Sequence, residues 1–64
     1  MKNKISKLRK KIKISQEELA KLAGVNQQVI IALEGGRYNP SLELTAKITK
    51  ALNQKNISDV FGID

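Results

Sequence analysis

Two adjacent glutamines, Gln27 and Gln28, are the side chains of this sequence with the clearest chemical potential. A glutamine amide presents a hydrogen-bond donor beside an acceptor, and this pair matches the N6 and N7 edge of adenine. Adjacent glutamines are also ordinary solvated residues of many helices. The elements that carry the glutamines must therefore decide between the two interpretations.

The rest of the sequence offers little for catalysis. Histidine and cysteine are both absent, which removes thiolate nucleophiles, the usual zinc ligands and the commonest proton-transfer group near neutral pH. Ser15 and Ser41 stand where helix caps are expected, the carboxylates are scattered, and there is no phosphate-binding glycine loop. We therefore expect no enzymatic activity, no metal and no cofactor.

Positive charge is concentrated at the start of the chain. Twelve Lys and Arg residues against six Asp and Glu residues give a formal net charge of +6. Seven of the twelve lie in the first thirteen residues, where no acidic residue occurs. A solubilising surface would explain this cluster, and contact with a polyanion such as a nucleic-acid backbone explains it equally well.

Length and hydropathy limit the architecture. A chain of 64 residues can form one small domain, here residues 1–64, with a compact core. The longest apolar run, residues 29–33, has five residues, whereas roughly 20 are needed to span a bilayer. We expect a soluble, cytoplasmic protein. A membrane-surface role for the basic first helix is the weaker interpretation, because no aromatic anchors accompany it.

Apolar periodicity and capping residues predict two helices in the first half of the chain. The first covers residues 4–12, where a stripe of three apolar residues is spaced for one helix face. Arg9 lies at the edge of this stripe and needs an acidic partner if it is buried. Ser15 begins the second helix in a capping box with Glu18, and Gly24 ends it. The apolar residues are Ile5, Leu8 and Ile12 in the first helix and Leu19, Ala20, Leu22 and Ala23 in the second.

Three further helices follow. Asn26 caps a helix over residues 27–34, whose apolar run would also suit a buried strand but has no second strand to pair with. Ser41 caps the fourth helix, and residues 57–61 form a last helical turn before a tail at residues 62–64. The predicted apolar side of the fourth helix consists of Leu42, Leu44 or Thr45, Ala46, Ile48 and Leu52, and Ile57, Val60 and Phe61 are expected to close the core.

Residues 15–34 have the organisation of a helix-turn-helix. Two helices are joined by a glycine-containing turn of about three residues, and the second is short enough to fit the major groove of DNA. Within this frame we favour base contact for the two glutamines. At about 100° per residue, the inward side of the second helix carries Ile30, Leu33 and Glu34, and the outward side carries Gln27, Gln28, Ile31 and Ala32.

The segment SQEELAKLAGVNQQVIIALEGGRYNPSLE resembles the helix-turn-helix of the phage repressor and Cro family, also called the xenobiotic response element type. The resemblance extends from residue 5 to about residue 61. It implies an all-α, five-helix, lambda-repressor-like domain that binds operator DNA, commonly as a symmetric homodimer. The residues that carry it are Gln16, Ala20, Gly24, Val25, Ile30, Glu34, Gly36 and Pro40.

The resemblance also implies roles for individual residues. It places Arg9 and Glu34 in a salt bridge between the first and third helices, and it places the side chain of Gln16 beside the first glutamine of the third helix. It assigns base reading to Gln27, Gln28 and Ala32, and we add Ile31 to the expected base-reading residues. It assigns phosphate contact to Gln16, Gly36 and Arg37, and we add Lys7, Asn26 and Asn39 to the expected phosphate-contacting residues.

Several positions depart from the family pattern. Val29 and Ile31 stand where Thr, Ser or another small or polar residue is more usual, so Ile31 either contacts thymine methyl groups or belongs to a protein contact. Gly35 replaces a more usual polar residue, which is expected to loosen the end of the third helix. The connection between the fourth and fifth helices is longer than usual by one residue, and Gln54 stands where an apolar residue is common.

The leading hypothesis is a sequence-specific, double-stranded DNA-binding transcriptional regulator, most simply a repressor at a palindromic operator. The alternative is a protein-interaction module, such as an antitoxin or an adaptor, that uses the same fold. A dimer is expected because one domain contacts only a few base pairs. The fifth helix and the loop before it are the candidate dimer interface.

Overall fold

The computed structural model of the protein describes residues 3–62. These residues contain no strand, and the predicted all-α, five-helix class is confirmed. The helices are α1 (Ile5–Lys11), α2 (Gln16–Ala23), α3 (Gln27–Glu34), α4 (Leu42–Ala51) and α5 (Ser58–Phe61).

Side-chain caps begin three of the helices at the predicted residues. The backbone N–H of Glu18 donates to Ser15 Oγ at 3.0 Å, and the Ser15 N–H donates to Glu18 Oε1 at 3.1 Å, which completes the capping box of α2. Asn26 Oδ1 accepts the N–H of Val29 at the start of α3, and Ser41 caps α4 in the same way. These bonds satisfy N–H groups that a helix start otherwise leaves unpaired.

The turn between α2 and α3 consists of three residues that fix the angle between the two helices. Gly24 has φ +72°, the left-handed region in which a residue without Cβ carries no steric penalty. The N–H of Val25 then donates to the carbonyl of Ala20 at 3.0 Å, and Asn26 begins α3. The helix-turn-helix geometry thus follows from one glycine and one capping residue.

The core is built around α2. This helix packs against both α3 and α4, while α1 contacts α3 and α5. Burial of the apolar faces supplies the main stabilisation of so small a protein. The buried apolar residues are Ile5, Leu19, Ala20, Ala23, Ile30, Leu33, Leu44, Ile48, Leu52 and Val60.

The predicted apolar stripe of α1 is wrong at one residue, whereas α2 packs through its small residues. α1 ends at Lys11, one residue before the predicted end, and Ile12 is exposed because the chain turns there into Lys13, whose φ is +60°. Leu22 is exposed on α2, since the small residues Ala20 and Ala23 and not the larger leucine face the neighbouring helices.

The buried side of α4 also differs from the prediction. Leu42 is 77% exposed and Ala46 is exposed, whereas Thr45 and Thr49 are buried with Leu44 and Ile48. The threonine hydroxyls donate to the carbonyls of Leu42 and Thr45, both at 2.7 Å. Because the helix itself accepts these hydroxyl bonds, threonine is buried there without an unpaired polar group.

The C-terminal helix begins at Ser58, one residue later than predicted. Val60 is fully buried and Phe61 packs against the core, but Ile57 is only half-buried and lies outside the core cluster, so the prediction that it closes the core is wrong. Residues 63 and 64 of the predicted tail lie outside the described residues. Across residues 3–62, no helix is long and apolar enough to cross a membrane.

Candidate nucleic-acid interface

The two sides of α3 have opposite environments. Ile30 and Leu33 have no exposed surface. Gln27, Gln28 and Ile31 are exposed, and 48% of the Ile31 surface is accessible. Ala32 is half-buried at the edge of the outward side. The orientation of α3 is therefore the one that the helical period predicts.

A partly buried ionic cluster fixes the end of α3. Arg9 Nε lies 2.8 Å from Glu34 Oε2, and the two side chains are only 13% and 11% exposed. Arg9 Nη1 also donates to the carbonyl of Ile14 at 2.9 Å. Gln16 Nε2 donates to Glu34 Oε1 at 3.1 Å. The Glu34 carboxylate thus joins α1, the start of α2 and the end of α3.

The side-chain amide of Gln16 can also donate a hydrogen bond outside this cluster. Its amide nitrogen carries two hydrogens, and the bond to Glu34 uses one of them. The side chain is half-buried at the first residue of α2. The bond to Glu34 therefore restricts the orientation of an amide that still has a donor for another acceptor.

Asn3 is a positioning residue that the sequence did not reveal. Its Nδ2 donates to the carbonyl of Leu33 at 2.7 Å, and its Oδ1 accepts the N–H of Ile5 at 3.1 Å. One side chain therefore accepts the first N–H of α1 and donates to the last turn of α3. Asparagine before a helix signals a cap, but no local signal indicates a partner 30 residues away.

A pocket of about 320 Å³ opens on the outward side of α3. Its lining is mostly apolar, and it is bounded by a polar amide and by a cation. Four of its five lining residues are predicted site residues. The lining residues of this surface, hereafter the α3 pocket, are Gln28, Ile31, Ala32, Gly35 and Arg37.

The chain leaves α3 through two glycines with different conformations. Gly35 is the C-cap of α3 and remains right-handed with φ −81°, and its N–H donates to the carbonyl of Ile31. Gly36 has φ +72° and reverses the chain. The Arg37 N–H then donates to the carbonyl of Ala32 at 2.9 Å, which brings Arg37 back beside α3.

The remaining predicted phosphate contacts lie on three different segments. Lys7 is exposed on α1, Asn26 is exposed at the start of α3, and Asn39 is exposed in the loop after α3. None of the three lines the α3 pocket. The Oδ1 atom of Asn26 is occupied by its cap bond, so its amide nitrogen is the group that has hydrogens to donate.

Carboxylates do not form a metal site in the part of the chain that the structure describes. No group of three or more Asp, Glu, His or Cys residues lies close enough there to hold a metal ion. The one acidic side chain at the site, Glu34, has its oxygens bonded to Arg9 and Gln16. The outward side of α3 therefore offers amide, cationic and apolar groups.

Comparison with known proteins identifies this arrangement. A family model described as helix-turn-helix matches residues 5–63. An uncharacterized HTH-type transcriptional regulator of Methanothermobacter thermautotrophicus is 48% identical over 64 residues, covering 100% of this chain and 93% of the relative. The HTH-type transcriptional regulator YgzD of Bacillus subtilis is 45% identical over 64 residues, covering 100% of this chain and 96% of that protein.

A solved structure has the same fold. The restriction-modification controller protein C.AhdI from Aeromonas hydrophila superimposes with a TM-score of 0.78 at 33% sequence identity, covering 81% of this chain and 75% of the controller. The family match, the relatives and this structural likeness agree with the resemblance seen in the segment around α2 and α3. The chain belongs to the Cro/C1-type helix-turn-helix family.

Proposed function

We propose that this protein is a sequence-specific transcriptional regulator that binds double-stranded DNA by placing α3 in the major groove. The observation that carries the proposal is the outward side of α3, where two amides and an isoleucine are exposed on a helix whose inner side is buried and ionically held. The relatives named as transcriptional regulators support the same function.

In this proposal, the outward residues of α3 contact the bases. Gln28 is the principal reader, because this residue is exposed and lines the α3 pocket, and a glutamine amide can form a bidentate pair with adenine. Gln27 contacts the neighbouring base from the first helical turn. Ile31 and Ala32 supply apolar contact, since the major groove also displays the methyl group of thymine.

Groups that surround α3 contact the phosphates. Arg37 and Lys7 supply positive charge. The backbone N–H of Gly36, expected to contact phosphate, already donates to the carbonyl of Leu33 at 3.1 Å. Gln16, Asn26 and Asn39 supply side-chain amide donors. The formal net charge of +6 supports this assignment, because phosphate contact dominates affinity for DNA.

We further propose that the protein acts as a homodimer on a palindromic operator. The Cα atoms of the described residues extend at most 26 Å, whereas half-sites on successive turns of DNA are about 34 Å apart. One copy is therefore too small to read both half-sites. Half-buried Ile57 and Phe61 make α5 and the loop before it the candidate interface. In the cytoplasm, the dimer would repress transcription by occupying the operator.

The test is selection of bound duplexes from a random pool, followed by retention of the winners across a salt series with random competitor DNA. The proposal expects a defined half-site, repeated with two-fold symmetry about one helical turn apart. Binding that disappears at moderate salt with no sequence preference would contradict it and would favour an antitoxin-like or adaptor role.

A further inference from the structure

Two adjacent residues before α1 are bonded to the ends of two other helices. The side-chain Nδ2 of Asn3 donates to the carbonyl of Leu33, in the last turn of α3, at 2.7 Å. The backbone N–H of Lys4 donates to the carbonyl of Val60, in α5, also at 2.7 Å. The helix that follows them, α1, packs against both α3 and α5. Residues 3 and 4 therefore join α3 to α5 through two short hydrogen bonds.

The bond to α3 is made by a side chain that is held at both of its polar atoms. Asn3 Oδ1 accepts the N–H of Ile5 at 3.1 Å while Nδ2 donates to Leu33. The Leu33 carbonyl lies in the last helical turn, where carbonyls lack partners within the helix, and it also accepts the N–H of Gly36. Asparagine suits this position because its short side chain carries both a donor and an acceptor. The half-buried amide thus fixes the end of α3 relative to the start of α1.

The orientation of α3 relative to α5 matters because the two helices have different roles in the proposed dimer. In that dimer α3 reads a half-site, and α5 with the loop before it forms the interface. The distance between the two reading helices then depends on how each α3 is set relative to its own α5. Over a body 26 Å long, a tilt of about 7.5° shifts the far end by about 3.4 Å, the rise of one base pair. A small reorientation is therefore enough to change the half-site spacing that fits the dimer.

We propose that Asn3 is a positioning residue that fixes α3 relative to α5 and thereby selects the spacing between the two half-sites of the operator. This inference rests on the proposed function, including a dimer through α5. The outward side chains of α3 read the sequence of each half-site, whereas the Asn3 amide restricts the distance at which two half-sites are accepted.

The first experiment varies the spacing of the half-sites. The selected duplex is compared with duplexes in which one or two base pairs are inserted between the half-sites or removed from between them. Asn3→Asp keeps an oxygen for the N–H of Ile5 but replaces the donor to Leu33 by a second acceptor, and Asn3→Ala removes both groups. The wild type should bind the selected spacing best. Each variant should reduce that preference by about threefold or more, a typical effect for a residue that couples two sites.

A second set of measurements separates positioning from stability. Ser41→Ala is the matched control, because it also loses a side-chain bond at a helix start, the 3.1 Å bond from the Leu44 N–H to Ser41 Oγ, but leaves residues 3 and 4 intact. It should lower Tm and keep the wild-type spacing preference. Single base-pair changes within a half-site should weaken binding of the Asn3 variants as much as that of the wild type. Circular dichroism at the binding temperature checks folding, and Asn3→Ser, whose side chain is one atom shorter, replaces any Asn3 variant that is unfolded.

Equal loss of affinity at every spacing would show that Asn3 only stabilises the fold, and an unchanged spacing preference would show that it does not position α3. A wild type that binds all spacings equally would also overturn the positioning role. In these three cases the proposed function stands, whereas it fails together with the positioning role if no duplex is selected from the random pool. Broader spacing for the Asn3 variants, with the wild-type preference kept by Ser41→Ala, is the result that the positioning role predicts.

Discussion

The inner and outer sides of α3 use polar groups in opposite ways. On the inner side, Glu34 is almost enclosed and its carboxylate accepts hydrogen bonds from Arg9 and Gln16. On the outer side, Gln27 and Gln28 are exposed. The difference lies in the environment, because both sides belong to one eight-residue helix.

This contrast separates stability from recognition within two helical turns. Residues of the inner side and of the turn before α3 fix its position, so their replacement should lower the free energy of unfolding. Residues of the outer side make few contacts within the protein, so their replacement should change DNA affinity at little cost in stability.

Loss of the inner carboxylate should have the largest effect on stability. Glu34→Ala leaves Arg9 partly buried without its partner and removes the acceptor of Gln16. We expect a loss of about 3 kcal/mol in the free energy of unfolding, which corresponds to a fall of roughly 10–20 °C in Tm for a domain of this size. Thermal unfolding followed by circular dichroism measures it.

An exposed ion pair provides the control for this variant. Glu43 and Lys47 lie 3.3 Å apart on α4 with most of their side chains exposed. Solvent screens such a pair, so Glu43→Ala should cost no more than about 0.5 kcal/mol. Equal Tm values for the Glu34 and Glu43 variants would contradict the structural role assigned to the ionic cluster.

A substitution in the turn before α3 should lower the free energy of unfolding by a smaller amount. Gly24→Ala places a Cβ in the left-handed region, where it meets no atom within 4 Å, so the cost is conformational and about 1 kcal/mol. Gly35→Ala is its matched control, because φ is −81° there and alanine should change the free energy of unfolding by less than about 1 kcal/mol, if anything upward. Urea unfolding distinguishes the two, and equal stability of both variants would refute the turn assignment.

The smallest effects are expected for DNA affinity when a positively charged residue near the outer side of α3 is replaced. Arg37→Ala and Lys7→Ala should each weaken selected and random duplexes by a similar factor, and each should reduce the slope of log affinity against log salt by about 1. Lys50→Ala, on α4 and outside the α3 pocket, should leave the slope nearly unchanged. A strong change in base preference for the arginine variant would instead place Arg37 on a base.

Local signals in the sequence predicted the elements that carry the site. Ser15, Asn26 and Ser41 gave the starts of α2, α3 and α4, because each cap bond joins residues three apart and is visible in the order of the chain. Gly24 marked the turn for the same reason. The outward side of α3 followed from the helical period once the helix was bracketed.

Contacts between distant residues were harder to predict. The hydrogen bonds from Asn3 to Leu33 and from Gln16 to Glu34 depend on how three helices pack together. The spacing of residues along the chain does not predict that packing. The burial of Thr49 and the exposure of Leu42 were not predicted, because apolar residues occur all around α4. Hydrophobicity alone does not choose between adjacent faces of such a helix.

The central claim, that the outer side of α3 reads bases, is tested most directly at Gln28. Wild type and Gln28→Ala are titrated with the selected duplex and with duplexes that carry each single base-pair change. The wild type should lose about 1–3 kcal/mol of binding free energy at one adenine-containing pair, and the variant should show almost no difference at that pair while keeping its other preferences. A variant that retains the full preference at every pair would contradict the claim.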